Sequence, residues 1–187
     1  NKKTSNVPPR PLVKKALELF GGFTGKAIDL GCGAGNDSVF LIENGWSVLA
    51  VDKNPSCFES IKTKLQPCKH DYFTGLTADF ESLKTLPICD LVNSSYSLPF
   101  CHPSCFDNMM SIIKSSILPG GRFAGNFFGL NDSWAALTHM SFRDKTAIEN
   151  LFRNFAIELI DEHEYDGKTA MGKNKHWHII NVIARKP

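Results

Sequence analysis

The 187-residue chain has no apolar run near the roughly 18 residues that a membrane-spanning helix needs. No membrane span is therefore expected. Nor does either sign of charge dominate: 21 Lys and Arg stand against 19 Asp and Glu, a net charge of +2. So mild a balance gives no reason to expect nucleic acid or an anionic lipid surface as partner. Tryptophan and tyrosine are sparse at three each, and the aromatic content rests on 14 phenylalanines. No secretory signal is visible in Asn1 to Asn6. The six cysteines, at 32, 57, 68, 89, 101 and 105, match no disulfide framework. A reduced, cytoplasmic protein is the expectation.

With no repeat, low-complexity tract or linker, residues 1–187 read as a single domain with an irregular, proline-bearing arm over residues 1–10. Pro11 opens a helix in which Leu12, Val13, Ala16, Leu17 and Phe20 recur at helical spacing, and Gly21-Gly22 stop it. Lys26 to Leu30 reads as a strand. Asn36, Asp37 and Ser38 are capping types that start a helix running to Asn44-Gly45. Trp46 to Val51 is a second strand. Asn54 caps a helix with Pro55 in its first turn.

Phe73 to Thr77 is a weak third strand broken by Gly75, and Cys89 to Ser94 a fourth. Pro103 starts a helix that turns Phe106, Met109, Met110, Ile113 and Ile117 inward. After a turn at Leu118-Pro119-Gly120-Gly121, Arg122 to Phe128 forms a fifth strand. Thr146 to Asn154 is helical. Phe155 to Glu164 and His176 to Ala184 close the chain as a hairpin joined by Tyr165 to Lys175. Alternating strands and helices followed by a hairpin predict a doubly wound α/β domain: seven strands, mostly parallel, with a C-terminal antiparallel β-hairpin.

The informative stretch is Asp29-Leu30-Gly31-Cys32-Gly33-Ala34-Gly35, with Asp52 placed 21 positions after Gly31. A glycine-rich loop between a strand and a helix N-terminus lets a ligand approach free backbone N–H groups. An acid about 20 residues on can accept from ribose hydroxyls. The pattern departs from the dinucleotide fingerprint, because its sixth position is Asn36 and its third glycine falls one place early, at Gly35. Asp29, two places before the first glycine, would repel a pyrophosphate. It suits a ligand carrying a cationic amino group. No Gly-Lys-Ser/Thr follows, which excludes a P-loop. A phosphate-free nucleoside cofactor is the consistent reading.

On these residues the chain resembles the class I S-adenosylmethionine-dependent methyltransferases. Further matches are Val51-Asp52-Lys53-Asn54, Thr77-Ala78-Asp79-Phe80, Asn93 to Phe100, Leu118 to Phe123 and the closing hairpin. Within that class it looks most like the tellurite-resistance and thiopurine methyltransferase group. The resemblance implies S-adenosyl-L-methionine as cofactor and a small-molecule methyl acceptor, such as a thiol or a metalloid oxyanion. It implies that Asp29 holds the cofactor's amino group and that the backbone at Gly31, Cys32 and Gly33 lines its methionine part. Asp52 would bind ribose, with Lys53 flanking the adenine. Asp79 and the Phe80 backbone would read the adenine edge, and Asn93 and Ser94 would face the sulfonium.

Competing readings on the same fold are a non-catalytic S-adenosylmethionine-binding module and an NAD-dependent oxidoreductase. Asn93-Ser94-Ser95-Tyr96 is not the Asn/Asp-Pro-Pro-aromatic motif of nucleobase amino methyltransferases, so nucleic acid is not the expected acceptor. Tyr96, Phe100, Phe128 and the insert Asn131 to Phe142 would roof the acceptor pocket. His139 and Arg143, in or beside that insert, read chiefly as surface residues. No side chain is singled out as catalytic. Cys101-His102-Pro103-Ser104-Cys105 offers zinc-ligand types but no second pair, so no metal is expected there. Lys168, Lys173, Lys175, His176 and His178 give the hairpin a basic look that could meet an anion. A monomer or homodimer fits the size.

Overall fold

The computed structural model describes residues 7–187. Of the expected N-terminal arm, residues 1–6 lie outside the described residues. From Val7 the chain is irregular until α1 (Pro11–Leu19). There follow β1 (Lys26–Leu30), α2 (Asn36–Glu43), β2 (Ser47–Asp52), α3 (Ser56–Lys64), β3 (Phe73–Thr77) and β4 (Cys89–Ser94). Next come α4 (Pro103–Ser116), β5 (Ile117–Phe128), α5 (Lys145–Leu151), β6 (Ala156–Lys168) and β7 (Asn174–Arg185). The strands form one seven-stranded sheet in the order β3-β2-β1-β4-β5-β7-β6. β1 to β5 pair in parallel, and β7 is antiparallel to both β5 and β6.

Two cores cover the two faces of the sheet. On one face α1, α2 and α3 bury Val13, Ala16, Leu41, Ile42 and Ile61 against Ala27, Val48, Ala50 and Ala124. Small strand residues let these helices lie close. On the other face α4 and α5 press Phe106, Met109, Ile113 and Phe152 onto Ile28, Val51, Phe123 and Phe127. Strand alternation divides the two sets, as a sheet buried on both sides requires. The strand order reverses between β1 and β4. In open α/β sheets ligands bind in the crevice at the carboxyl ends of the strands flanking that point.

Several elements differ from the sequence expectation for physical reasons. β3 runs unbroken through Gly75, because the Phe58 ring packs over it: a Cβ there would meet the ring at 2.8 Å. No side chain caps α2. Its N-cap is Gly35 in the left-handed region (φ 75°), and Asp37 and Ser38 turn inward instead. Asn54 forms a turn of its own, accepting from Ser56 N at 3.1 Å and Ser56 Oγ at 2.9 Å, while Pro55 takes the N-cap position. β5 begins before the Pro-Gly-Gly turn, which pairs with the chain end through Gly120 N to Lys186 O at 2.9 Å.

The final strands extend past their predicted ends, to Lys168 and from Asn174, leaving a short connection. A cross-strand pair past the predicted end, His176 with Asp166 at 2.8 Å, lengthens the ladder. Among the described residues no helix is long and apolar enough to cross a membrane.

Candidate functional site

The loop after β1 lies at the strand-order reversal, and its three glycines all need positive φ: Gly31 at 68°, Gly33 at 55° and Gly35 at 75°. Their surroundings differ. A Cβ on Gly31 would collide with Ser97, and one on Gly35 with Ile61. A Cβ on Gly33 would meet nothing closer than 3.9 Å, so the backbone there is open to an approaching molecule. Gly31 N and Cys32 N both donate to Val51 O, at 2.7 and 3.1 Å, tying the loop to the end of β2.

Behind the loop lies a buried polar network. Asp29 is 2% exposed. Its carboxylate accepts from Ser38 Oγ at 2.5 Å and from Asn93 Nδ2 at 2.8 Å. The same Asn93 amide donates to Asp37 Oδ2 at 3.3 Å, and Asp37 Oδ1 accepts from Arg10 N at 2.8 Å. Strand register places Asp29 opposite Asn93, so the sheet itself aligns the pair. Burial, and next the Asp37 charge, push the Asp29 carboxyl up to about 7.

Asp52 ends β2 and turns back to the loop. Gly33 N donates to its Oδ2 at 2.9 Å, and Asn54 N donates to its Oδ1 at 2.9 Å. Two backbone donors thus orient one half-buried carboxylate beside the open Gly33 backbone. Cys32 is half-buried with its Sγ 3.6 Å from Cys57 Sγ. Lys53 is exposed. Asp79 is exposed just past β3, where Asp52 pairs with Thr77; Ser82 N donates to its Oδ1 at 2.7 Å. The Ser82 hydrogen bonds hold the Asp79 carboxyl below its ordinary value. Phe80 is half-buried against the α4 core. Ser94 is buried, paired with Ser97 Oγ at 2.7 Å, and Ser97 Oγ donates to Leu30 O at 2.5 Å. Asn93 and Ser94 therefore both spend their polar atoms inside the protein, bracing the loops around the site.

Beyond Asn93, Tyr96 adopts a positive φ of 54°, unusual for a bulky side chain. Its N–H donates to Asn126 Oδ1 at 3.1 Å, and the Arg10 guanidinium stacks 4.6 Å from its ring centroid. These residues open onto a cavity of about 380 Å³ that Asp161, His163, Tyr165 and Asn181 also line.

The expected roof is only partly there. Of Tyr96, Phe100, Phe128 and the insert, Tyr96 alone lines the cavity. Phe100, Phe128 and Trp134 pack on one another and on Trp177, backing the cavity through Tyr96 and Ile179. His139 is exposed, and Arg143 lies over the Phe106 ring with Asp107 at 3.9 Å.

Of the hairpin's five basic residues, Lys168 and Lys173 are exposed, while Lys175, His176 and His178 are each engaged with an acid. Lys175 is buried in an ion pair with Asp132, its Nζ 3.9 Å from the Trp134 ring centroid and 4.5 Å from that of Trp177. Glu164 and Asp166 take up His176, and Glu162 takes up His178. His102 caps α4 by accepting from Ser104 N at 3.2 Å, and Cys101 is buried. The Cys101–Cys105 segment is a helix start.

Sequence reasoning missed Asp37, Ser38, Arg10, Asn126 and His163. An acid and a serine in a first helical turn read as caps, and nothing local shows that a buried carboxylate waits beneath them.

The family model described as "Tellurite resistance protein TehB" matches residues 3–126. The chain belongs to the TehB family. A methyltransferase-named relative, sll0829 from Synechocystis sp., described as uncharacterized, is 30% identical over 103 residues, 53% of this chain and 45% of its own length. The chain thus spans about half of that curated relative. Among solved structures, TehB from Haemophilus influenzae superposes with a TM-score of 0.84 at 15% identity, over 100% of this chain and 65% of the other. The 1,6-didemethyltoxoflavin-N1-methyltransferase of Burkholderia thailandensis, solved with S-adenosylhomocysteine bound, gives 0.71 at 20% identity, over 95% and 77%. The methyltransferase sheet of these TehB-family and related folds, mostly parallel with an antiparallel C-terminal pair, is the sheet found here.

Proposed function

We propose that this protein transfers a methyl group from S-adenosylmethionine to a small-molecule acceptor. The observation that carries the reading is the loop: three positive-φ glycines, an open backbone at Gly33, and Asp52 presented beside it by two backbone donors. Family membership and the S-adenosylhomocysteine-bound neighbour support it. When bound, the cofactor would supply an electrophilic methyl group on a sulfonium.

The chain's own residues would do the following. Asp52 accepts from the ribose hydroxyls with the lone pairs its two amide partners leave. Lys53 flanks the adenine, and Asp79 with the Phe80 backbone reads its edge. Gly31, Cys32 and Gly33 line the methionine part. Asp29 provides the counter-charge for the amino group, directly or through water, from behind Ser38 and Asn93. Asn93 and Ser94 fix the wall near the reacting end. The Tyr96, Asn126 and His163 cavity holds the acceptor in line, a proximity effect. A soft nucleophile, a thiol or a reduced metalloid oxyanion, asks for little proton handling there and is the acceptor class we favour.

The test is an S-adenosylhomocysteine-release assay on the full chain across thiols, selenite, tellurite, amines and carboxylates. Turnover with a soft acceptor is the expected result. Stabilisation by NADH with none by S-adenosylhomocysteine would overturn the reading.

A further inference from the structure

Cys32, Asp52 and Cys57 come together at the edge of the glycine loop, with one ligand atom from each lying within 4.8 Å of the others. The two sulfurs stand 3.6 Å apart. Two thiolates bound to one tetrahedral ion at about 2.3 Å would stand about 3.8 Å apart, so little movement separates this arrangement from a chelate. All three residues sit on backbone held by hydrogen bonds. Cys32 is held by its N–H to Val51 O at 3.1 Å, and its own carbonyl accepts from Gly35 N at 2.8 Å. Cys57 lies in the first turn of α3 with its N–H to Asn54 O at 3.2 Å. The Asp52 carboxylate is aimed by Gly33 N and Asn54 N.

We propose that Cys32 Sγ, Cys57 Sγ and the Asp52 carboxylate form a binding site for a thiophilic divalent cation of the zinc and cadmium class, and that this cation and the nucleoside exclude one another. Two sulfur donors and one oxygen favour a soft or borderline ion over magnesium or calcium. Three protein ligands leave the fourth tetrahedral position to water. Without a cation, ordinary cysteine thiols are protonated at neutral pH. Binding therefore replaces two S–H bonds with two metal–sulfur bonds and releases two protons to solvent. The same Asp52 cannot serve ribose and the cation together. That exclusion rests on the ribose role proposed for Asp52; cation binding itself does not.

The experiment titrates Cd²⁺ into the full chain kept reduced with a non-thiol reductant, following the thiolate-to-cadmium charge-transfer absorption. We expect one equivalent to bind, the signal to vanish in Cys32→Ser and in Cys57→Ser, and to persist in Cys68→Ser and Cys105→Ser. X-ray absorption of the zinc-loaded unmutated chain should show two sulfurs at about 2.3 Å plus oxygen, which keeps the test valid if a variant fails to fold. With S-adenosylhomocysteine at ten times its own Kd, the apparent cadmium affinity should fall about elevenfold. A charge-transfer band that survives in the Cys32→Ser/Cys57→Ser double variant, or a zinc shell without sulfur, would overturn the site. Undiminished cadmium affinity with S-adenosylhomocysteine demonstrably bound would overturn the exclusion. If cadmium binds as described but S-adenosylhomocysteine never does, the exclusion and the cofactor reading fall while the cation site stands.

Discussion

Asn93 holds two buried carboxylates with one amide: its Nδ2 donates to Asp29 Oδ1 at 2.8 Å and to Asp37 Oδ2 at 3.3 Å. Replacing it by Ala removes the shared donor and leaves two acids facing each other out of water. Asn93→Ala should cost about 2–4 kcal/mol of folding stability, read by chemical denaturation, and should weaken S-adenosylhomocysteine binding as well. Asn93→Asp, which adds a third acid, should cost more. Unchanged stability in both variants would contradict a stabilising role for this network.

The pH dependence follows from Asp29. Its carboxyl is raised from 3.8 to about 7, so the folded protein without ligand holds a proton there that the unfolded chain has lost. The sign is therefore opposite to that of a salt-bridged acid. This contribution favours folding at low pH and is lost as pH rises through the window between those values. A ligand with a cationic amino group favours the ionised form and must displace that proton. Its affinity should rise about tenfold from pH 6 to pH 8, with proton release detectable as buffer-dependent calorimetric enthalpy.

Gly33→Ala and Gly35→Ala should separate binding from stability. Both positions need positive φ, which costs an L-residue about 1–2 kcal/mol. At Gly35 the new methyl also runs into Ile61, and such overpacking adds about 1–3 kcal/mol. At Gly33 the methyl enters open space, so the fold loses only that backbone cost while the cofactor's approach is blocked. Denaturation should rank Gly35→Ala as the less stable, and ligand titration should rank Gly33→Ala as the more impaired relative to its stability loss.

Local chemistry explains what could be read from the sequence. The Asp29-to-Gly35 loop was legible because positive φ writes itself as glycine, and the acid behind it needs only strand spacing. The alternation of strands and helices was legible because both faces of the sheet are buried. Asp37 and Ser38 were misread because their partner, Asp29, is met only through folding. The cavity was illegible for the same reason: it joins Arg10, Tyr96, Asn126 and His163 from separate elements. The hairpin ends were misplaced because Gly167 and Lys168 look like a turn, whereas the His176–Asp166 pair continues the ladder past Glu164.

The Lys175–Asp132 pair should behave as a structural element. Both side chains are fully buried, and three aromatic rings surround the ammonium group. Lys175→Met leaves the Asp132 charge buried without its partner and should cost about 3–5 kcal/mol. Adding Asp132→Asn should recover much of that loss. A double-mutant cycle by denaturation measures the coupling, and simple additivity would contradict it.

Isothermal titration of S-adenosylhomocysteine into the unmutated chain and into Asp52→Ala measures whether the loop and Asp52 hold the nucleoside. One site is expected in the unmutated chain, with an affinity at least about tenfold weaker once the charge-assisted ribose bonds to Asp52 are lost. Equal affinity in the two proteins would contradict the role of Asp52, and no binding to the unmutated chain would contradict the nucleoside cradle itself.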